Sequence, residues 1–458
     1  MKSLLQRVFP GAFGAAPPDR RQAPRDGATD RRKAPVPVPS TARPIGARRP
    51  LIATTGETVG YEFRVPDEVL SRLKRRNDQA AQAAHVTSVL TAAVTVQAQG
   101  RIGFARVPAS WLLHSAATDA YEGVMIGLQV NEEADLDPQM TEALDQAVEH
   151  LRAQGARLGW GPALPLQSAP DFVLLRQGPA PMAVVLASVQ SWSERVRSVP
   201  VLMTDIASVE DLETALSAGI QFACGALTAM HTTNEPRQSL PVAPEVRRVG
   251  QILYQLVTGA ETEKIAAEIK GDLALSYRLL RRINSAGYGR DTAVNSIDQA
   301  VMLLGRNELY RWLYMLLLQF GGTQKTSSAL QEIALWRARL FELLAQERPG
   351  EDAGQMFTLG MASMLGQVLR IGLTEVVDTL KLPDEARAAL IDHTGPWLIY
   401  LQMAKQIEAQ SVNGADSVAD QFGGADRVLL LSEQAWNWAR ENSDPGAGKA
   451  SAGADAPA

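Results

Sequence analysis

Residues 266–318 read AAEIKGDLALSYRLLRRINSAGYGRDTAVNSIDQAVMLLGRNELYRWLYMLLL, and this stretch decides the fold of the second half of the chain. Leu309, Trp312, Leu313, Leu316, Leu317 and Phe320 recur at helical spacing, the pattern of a helix that buries one apolar stripe. Its boundaries are written in residue chemistry. Ser296-Ile297-Asp298-Gln299 has the form of a capping box, in which the Ser oxygen and the Gln amide each satisfy a backbone N–H at a helix start. Gly305 suits a left-handed C-terminal cap, and Asn307 can then open the next helix. Asn284 and Ser285 are expected to close a turn by bonding local backbone, and Trp312 to pack in the core. Working outward, Val246, Val249, Ile252, Leu253, Leu256 and Val257 mark another helical face, and strand signals nearly vanish after Ala243. Residues 241–440 are predicted to form an all-helical domain.

Upstream the pattern alternates. Short β-like runs at Tyr61 to Val65, Arg101 to Val107, Gly123 to Val130, Ala156 to Trp160, Asp171 to Leu175, Met182 to Val189, Val199 to Thr204 and Ile220 to Gly225 approach the eight strands of a TIM-like barrel. Between them, Gln139 to Gln154 and Ser208 to Ala218 carry helical periodicity. The overall expectation is an α+β chain of two domains, a (β/α) barrel over residues 51–232 followed by the helical one. The two are expected to hold separate cores, joined by the Pro-bearing segment His231 to Pro244.

Composition bounds the rest. Residues 1–50 hold 9 of the 26 prolines and carry a charge of +8, so they are predicted to be a disordered arm; residues 441–458 are predicted to be a disordered tail. The remaining 408 residues carry −13, and an acidic body repels phosphate backbones, so no nucleic-acid partner is expected. No apolar run approaches the ~20 residues of a membrane-spanning helix, no export signal is read, and Cys224 is the one cysteine. A reducing cytoplasm fits, with neither a disulfide nor a multi-Cys zinc site.

The stretch quoted first closely resembles the HDOD domain: an acidic turn before a Leu-rich helix (Asp272 to Leu280), Asn284-Ser285-Ala286, Ser296-Ile297 with Ala300, Leu304-Gly305, and Trp312 on the following helix. In front of it, Gly60-Tyr61-Glu62-Phe63-Arg64, Phe104-Ala105-Arg106-Val107 and Met203 to Gly225 are similar in layout to an EAL domain, the fold that hydrolyses or binds cyclic di-GMP. The resemblance implies a degenerate EAL-like barrel followed by an HDOD domain, an arrangement used in bacterial signalling.

Such a phosphodiesterase needs carboxylates and an Asn at the ends of barrel strands to hold two divalent ions ~3.5–4 Å apart. Aligned with that pattern, Arg106 replaces the Asn, the Asp pair expected around Trp160-Gly161 is absent, Thr204 and Ala207 stand where two Glu belong, and Cys224 stands where a Gln belongs. Glu62 is left as an acid placed to touch a metal, with Glu132 and Glu133 near another of the ligand-bearing strands. The metal-dependent relatives of HDOD domains need a His-Asp pair, and none of the five His here is followed by Asp; Asp392-His393 is the reverse order. No cofactor and no metal are expected. The chain is therefore read as a non-catalytic signalling adaptor whose partners are other signalling proteins. The alternative is an inactive receptor retaining weak cyclic di-GMP binding through Arg106 or Arg176.

Overall fold

The structure, a computed structural model, describes residues 45–76, 78–113, 121–130, 138–162, 164, 166–178, 180–190, 199–227, 241–284, 294–321, 326–412 and 417–443. Ser285, Glu132 and Glu133, residues 1–44 of the expected arm, residues 444–458 of the expected tail and most of the expected linker lie outside these. The described residues belong to one compact unit.

Eight strands close a barrel in sequence order: β1 (Arg49–Ala53), β2 (Thr58–Arg64), β3 (Ile102–Pro108), β4 (Met125–Gln129), β5 (Arg157–Trp160), β6 (Phe172–Arg176), β7 (Val201–Ile206) and β8 (Phe222–Gly225). β2 through β8 run parallel, whereas β1 is antiparallel to both β2 and β8. Around the barrel lie α1 (Asp67–Arg76), α2 (Gln79–Ala98), α3 (Ala109–Leu112), α4 (Pro138–Ala153), α5 (Met182–Gln190) and α6 (Val209–Ser217).

Two expected elements change. Met182 to Val189 is not a strand but helix α5, opened by Val184 N–H donating to the Pro181 carbonyl. Parallel β6 and β7 need a crossover between them, and a helix supplies it. The eighth strand is β1, so the boundary drawn at residue 50 falls inside a strand, and Arg49 and Pro50 belong to the barrel.

The lower bore is filled with side chains. Phe104 and Phe172 meet edge-to-face at 6.1 Å among Leu51, Met125, Leu202 and Cys224, all buried. Gly159 makes room, since a Cβ there would stand 2.2 Å from the Phe172 ring.

The second half is helical: α7 (Pro244–Val257), α8 (Thr262–Lys270), α9 (Leu273–Ile283), α10 (Ile297–Phe320), α11 (Ser327–Gln346), α12 (Ala353–Leu369), α13 (Leu373–Leu380), α14 (Asp384–Arg387), α15 (Leu398–Ala409) and α16 (Ala425–Ser443). Asn284 clamps the chain across the turn, donating to the Val294 carbonyl at 2.9 Å and accepting its N–H at 2.8 Å. Ser296 is the N-cap of α10, but the capping box does not close: its hydroxyl lies 3.4 Å from Asp298 instead of on the helix backbone. Gly305 breaks α10 with φ 67° and ψ 169°, a glycine conformation other than the left-handed cap expected. Trp312 is buried, as expected.

The expectation of separate cores is overturned. A β1–β2 hairpin has no crossover helix, so the outer face between β1 and β2 lacks the cover that a crossover gives to neighbouring parallel strands. The helical half covers it. Trp436 of α16 meets Tyr61 edge-to-face at 5.2 Å and stacks on Trp336 of α11 at 4.8 Å. Arg48 lies over the Tyr61 ring at 4.4 Å, and the Tyr61 hydroxyl donates to Glu332 at 2.9 Å. One continuous set of buried apolar residues runs from barrel to helices.

Candidate functional site

At the C-terminal ends of the parallel strands the bore changes from apolar to charged. Strand alternation turns Glu62 of β2, Arg106 of β3 and Cys224 of β8 inward, and all three are buried. Antiparallel pairing sets Arg49 opposite Glu62, so the start of β1 reaches this same end. In β7 the pairing with β8 slips between Met203 and Ile206. Asp205 sits in this irregularity with φ 57°, a left-handed conformation that Asp tolerates better than most residues. Both Thr204 and Asp205 consequently bond to Arg106.

Arg106 is the centre of the arrangement. Its Nε lies 3.1 Å from Glu62 Oε1, and Nη1 donates to Thr204 Oγ1 at 3.0 Å and to Asp205 Oδ2 at 2.8 Å. Nη2 donates to Asp205 Oδ1 at 3.0 Å. Arg176 Nε reaches Asp205 at 2.8 Å, and Arg49 Nη1 lies 3.3 Å from Asp205 and 3.6 Å from Glu62. Burial works against the Arg106 charge, but Glu62 and Asp205 more than offset it and strengthen its hold on the proton. Burial likewise opposes ionisation of Asp205, yet the Arg106 hydrogen bonds and charge, helped by Arg64 and Arg49, hold its carboxyl well below the usual range. Burial, then the Glu62 charge, pushes the Cys224 thiol far up, so it is held as the neutral thiol.

The structure thus brings together Glu62, Arg106, Thr204 and Cys224 of the residues picked from sequence, while Ala207 follows β7 half-buried. Asn284, Ser296, Gly305 and Trp312 belong to the helical half. Sequence reading missed Asp205 and Arg49. Strict alternation puts Asp205 on the outer face, and Arg49 lay inside the presumed arm; the MTDI run of β7 was the available signal for the former.

Among the described residues, the side chains gathered here do not fit two divalent ions. Each of the two acids, Glu62 and Asp205, is already paired with guanidinium groups, and Arg106 places a fixed cation against Glu62 where an ion would need to bind. Among the described residues no three His, Cys, Asp or Glu side chains converge as a metal site.

The end of α15 reaches the rim of the bore at β1 and β2. The last carbonyls of α15, those of Glu408 and Ala409, accept from Arg49 Nε and from Arg64 Nη2, the latter at 3.2 Å, and Gln410 Nε2 donates to the Glu62 carbonyl at 3.0 Å. A helix C-terminus exposes unpaired carbonyls and the negative end of its dipole, which cationic side chains complement.

Residues 240–382 match the HDOD domain family. The chain carries an HDOD domain. Its matched span runs from α7 to α13, and α14 to α16 lie beyond it. A stretch of 162 residues is 32% identical to YuxH of Bacillus subtilis, covering 35% of this chain and 40% of that protein. A stretch of 202 residues is 26% identical to the cyclic di-GMP phosphodiesterase CdgJ of Vibrio cholerae, covering 43% of this chain and 46% of that protein. The chain thus matches less than half the length of either relative. Among solved structures, an EAL domain protein of Listeria monocytogenes is similar at 11% identity and a TM-score of 0.28, over 39% of this chain and 84% of that one. The HDOD domain is preceded by a closed eight-stranded barrel, given by its own strand pairing. No helix among the described residues is long and apolar enough to cross a membrane.

Proposed function

We propose that this chain is a signalling protein of the cyclic di-GMP type that acts by binding other signalling proteins and does not itself turn the nucleotide over. The observation that carries the reading is the use of Arg106 to neutralise Glu62 and Asp205 at the end of the bore where the chemistry of such barrels is done. A guanidinium keeps its charge at all working pH values, so it can bind a phosphate but cannot generate the hydroxide nucleophile that a metal pair supplies. The helical half presents the interaction surface and the barrel supports it. CdgJ is a cyclic di-GMP phosphodiesterase, which makes turnover the outcome to test against.

The purified chain, incubated with cyclic di-GMP and Mg²⁺ or Mn²⁺, is expected to give no linear product above a buffer control. Product that disappears in Glu62→Gln refutes the reading. The receptor alternative draws support from Arg176, whose side chain is 57% exposed beside Asp205. Calorimetry decides it: no micromolar isotherm is expected, and a clear one replaces the adaptor with a receptor.

A further inference from the structure

The contacts between the two halves are of two physical kinds. Around Tyr61 and Trp436 they are aromatic and buried, and water cannot replace them without loss. At the bore they are hydrogen bonds from Arg49, Arg64 and Gln410 between charged or polar groups, and water can satisfy every one of them when they part. The end of α15 is in turn secured to the helical half, because the buried Glu408 carboxylate accepts from Arg337 Nη2 of α11 at 2.6 Å. Arg49, Arg64 and Arg106 crowd the receiving end, and of the neighbouring acids Asp67 pairs with Arg64 at 2.9 Å. Seating the carbonyl end of a helix there gives these cations a partner, with the Glu408 carboxylate engaged by Arg337.

We propose that the C-terminal end of α15 is a latch on the barrel mouth, one that opens and closes while the aromatic contact between Tyr61 and Trp436 stays in place. In the closed state the end of α15 holds the rim of the bore at β1 and β2, in addition to the aromatic contact and the Glu213 bonds to Thr326 and Arg370. In the open state the halves pivot on the aromatic contact, which couples the barrel mouth to the orientation of the helical surface. The coupling is mechanical and independent of whether the barrel turns over or binds a nucleotide.

Cys224 is a natural reporter, being the chain's one cysteine, fully buried and lying in the bore beside Glu62 and Arg106. Labelling of the full-length chain with a maleimide in native buffer measures how often the bore opens. Opening by the latch is local, so the labelling rate should be flat at low urea, whereas labelling that needs global unfolding rises with urea at the slope of the equilibrium melt. Gln410→Gly removes the amide that bonds Glu62 while suiting the left-handed backbone at that position (φ 59°), and Arg64→Ala removes the donor to Ala409. Each should speed labelling about tenfold, the factor set by one buried hydrogen bond. Arg387→Ala, which breaks an exposed pair with Asp378, should leave the rate unchanged. Equal rates in all four chains, or acceleration that follows the global urea slope, overturn the latch. Should neither variant fold, the wild-type urea dependence decides alone: a flat rate supports the latch and a steep one overturns it.

Discussion

Replacing Arg106 with alanine tests the central claim that a cation organises the barrel mouth. The side chain is buried and makes its closest contacts with Glu62, which is wholly buried, and with Asp205, which is mostly so. Removing one partner of a buried ion pair leaves an uncompensated charge and costs about 3–5 kcal/mol. Arg49 remains 3.6 Å from Glu62 and 3.3 Å from Asp205, so the lower end of that range, about 3 kcal/mol, is expected at pH 7. The pH dependence supplies a second reading of the same pair. The folded-state pKa of Asp205 is depressed, so its contribution to stability is fully present above the unfolded value of ~3.9 and is lost as pH falls through the folded one. In Arg106→Ala that depression shrinks, so acidification below pH ~4 costs the variant less than the wild type and the two stability curves converge. Urea melts at a series of pH values measure both effects. A gap under ~1 kcal/mol at pH 7, or one that stays constant down to the lowest pH at which both chains fold, refutes the assignment of Arg106 as the charge that holds the site together.

Two truncations separate the barrel from what precedes it: a chain beginning at residue 45 keeps Arg48 and Arg49, and one beginning at 51 loses both. The second should be less stable by at least ~3 kcal/mol, since Glu62 and Asp205 lose a buried partner and β1 loses its start; equal melts would show that β1 does not need these residues. Gly305→Ala should cost about 1–3 kcal/mol through backbone strain alone, because φ 67° with ψ 169° excludes other residues while a Cβ there meets nothing within 4 Å. A neutral result by calorimetry would mean that α10 straightens through this position.

Much of the fold was legible in sequence because its signals are local. Helical periodicity around Trp312 and Val246, the Asn284 turn, and seven of the eight barrel strands all follow from residues within one or two turns of each other. Part of the site was legible too, since Glu62, Arg106, Thr204 and Cys224 were singled out in sequence and lie together at one end of the bore. Where local signals were equivocal, tertiary structure chose. Met182 to Val189 is a short apolar run that periodicity alone cannot assign, and the crossover between β6 and β7 made it helical. Arg49 to Ala53 was hidden by the proline and arginine around it, and became a strand because closing the barrel between β8 and β2 needs one. Asp205 enters the site through a shift of register that no period-two rule contains. The union of the two halves was the least accessible of all, because Tyr61 with Trp436 and Gln410 with Glu62 are separated by hundreds of residues. Neither member of those pairs carries a mark of the other, so the contact exists only once both folds are in place.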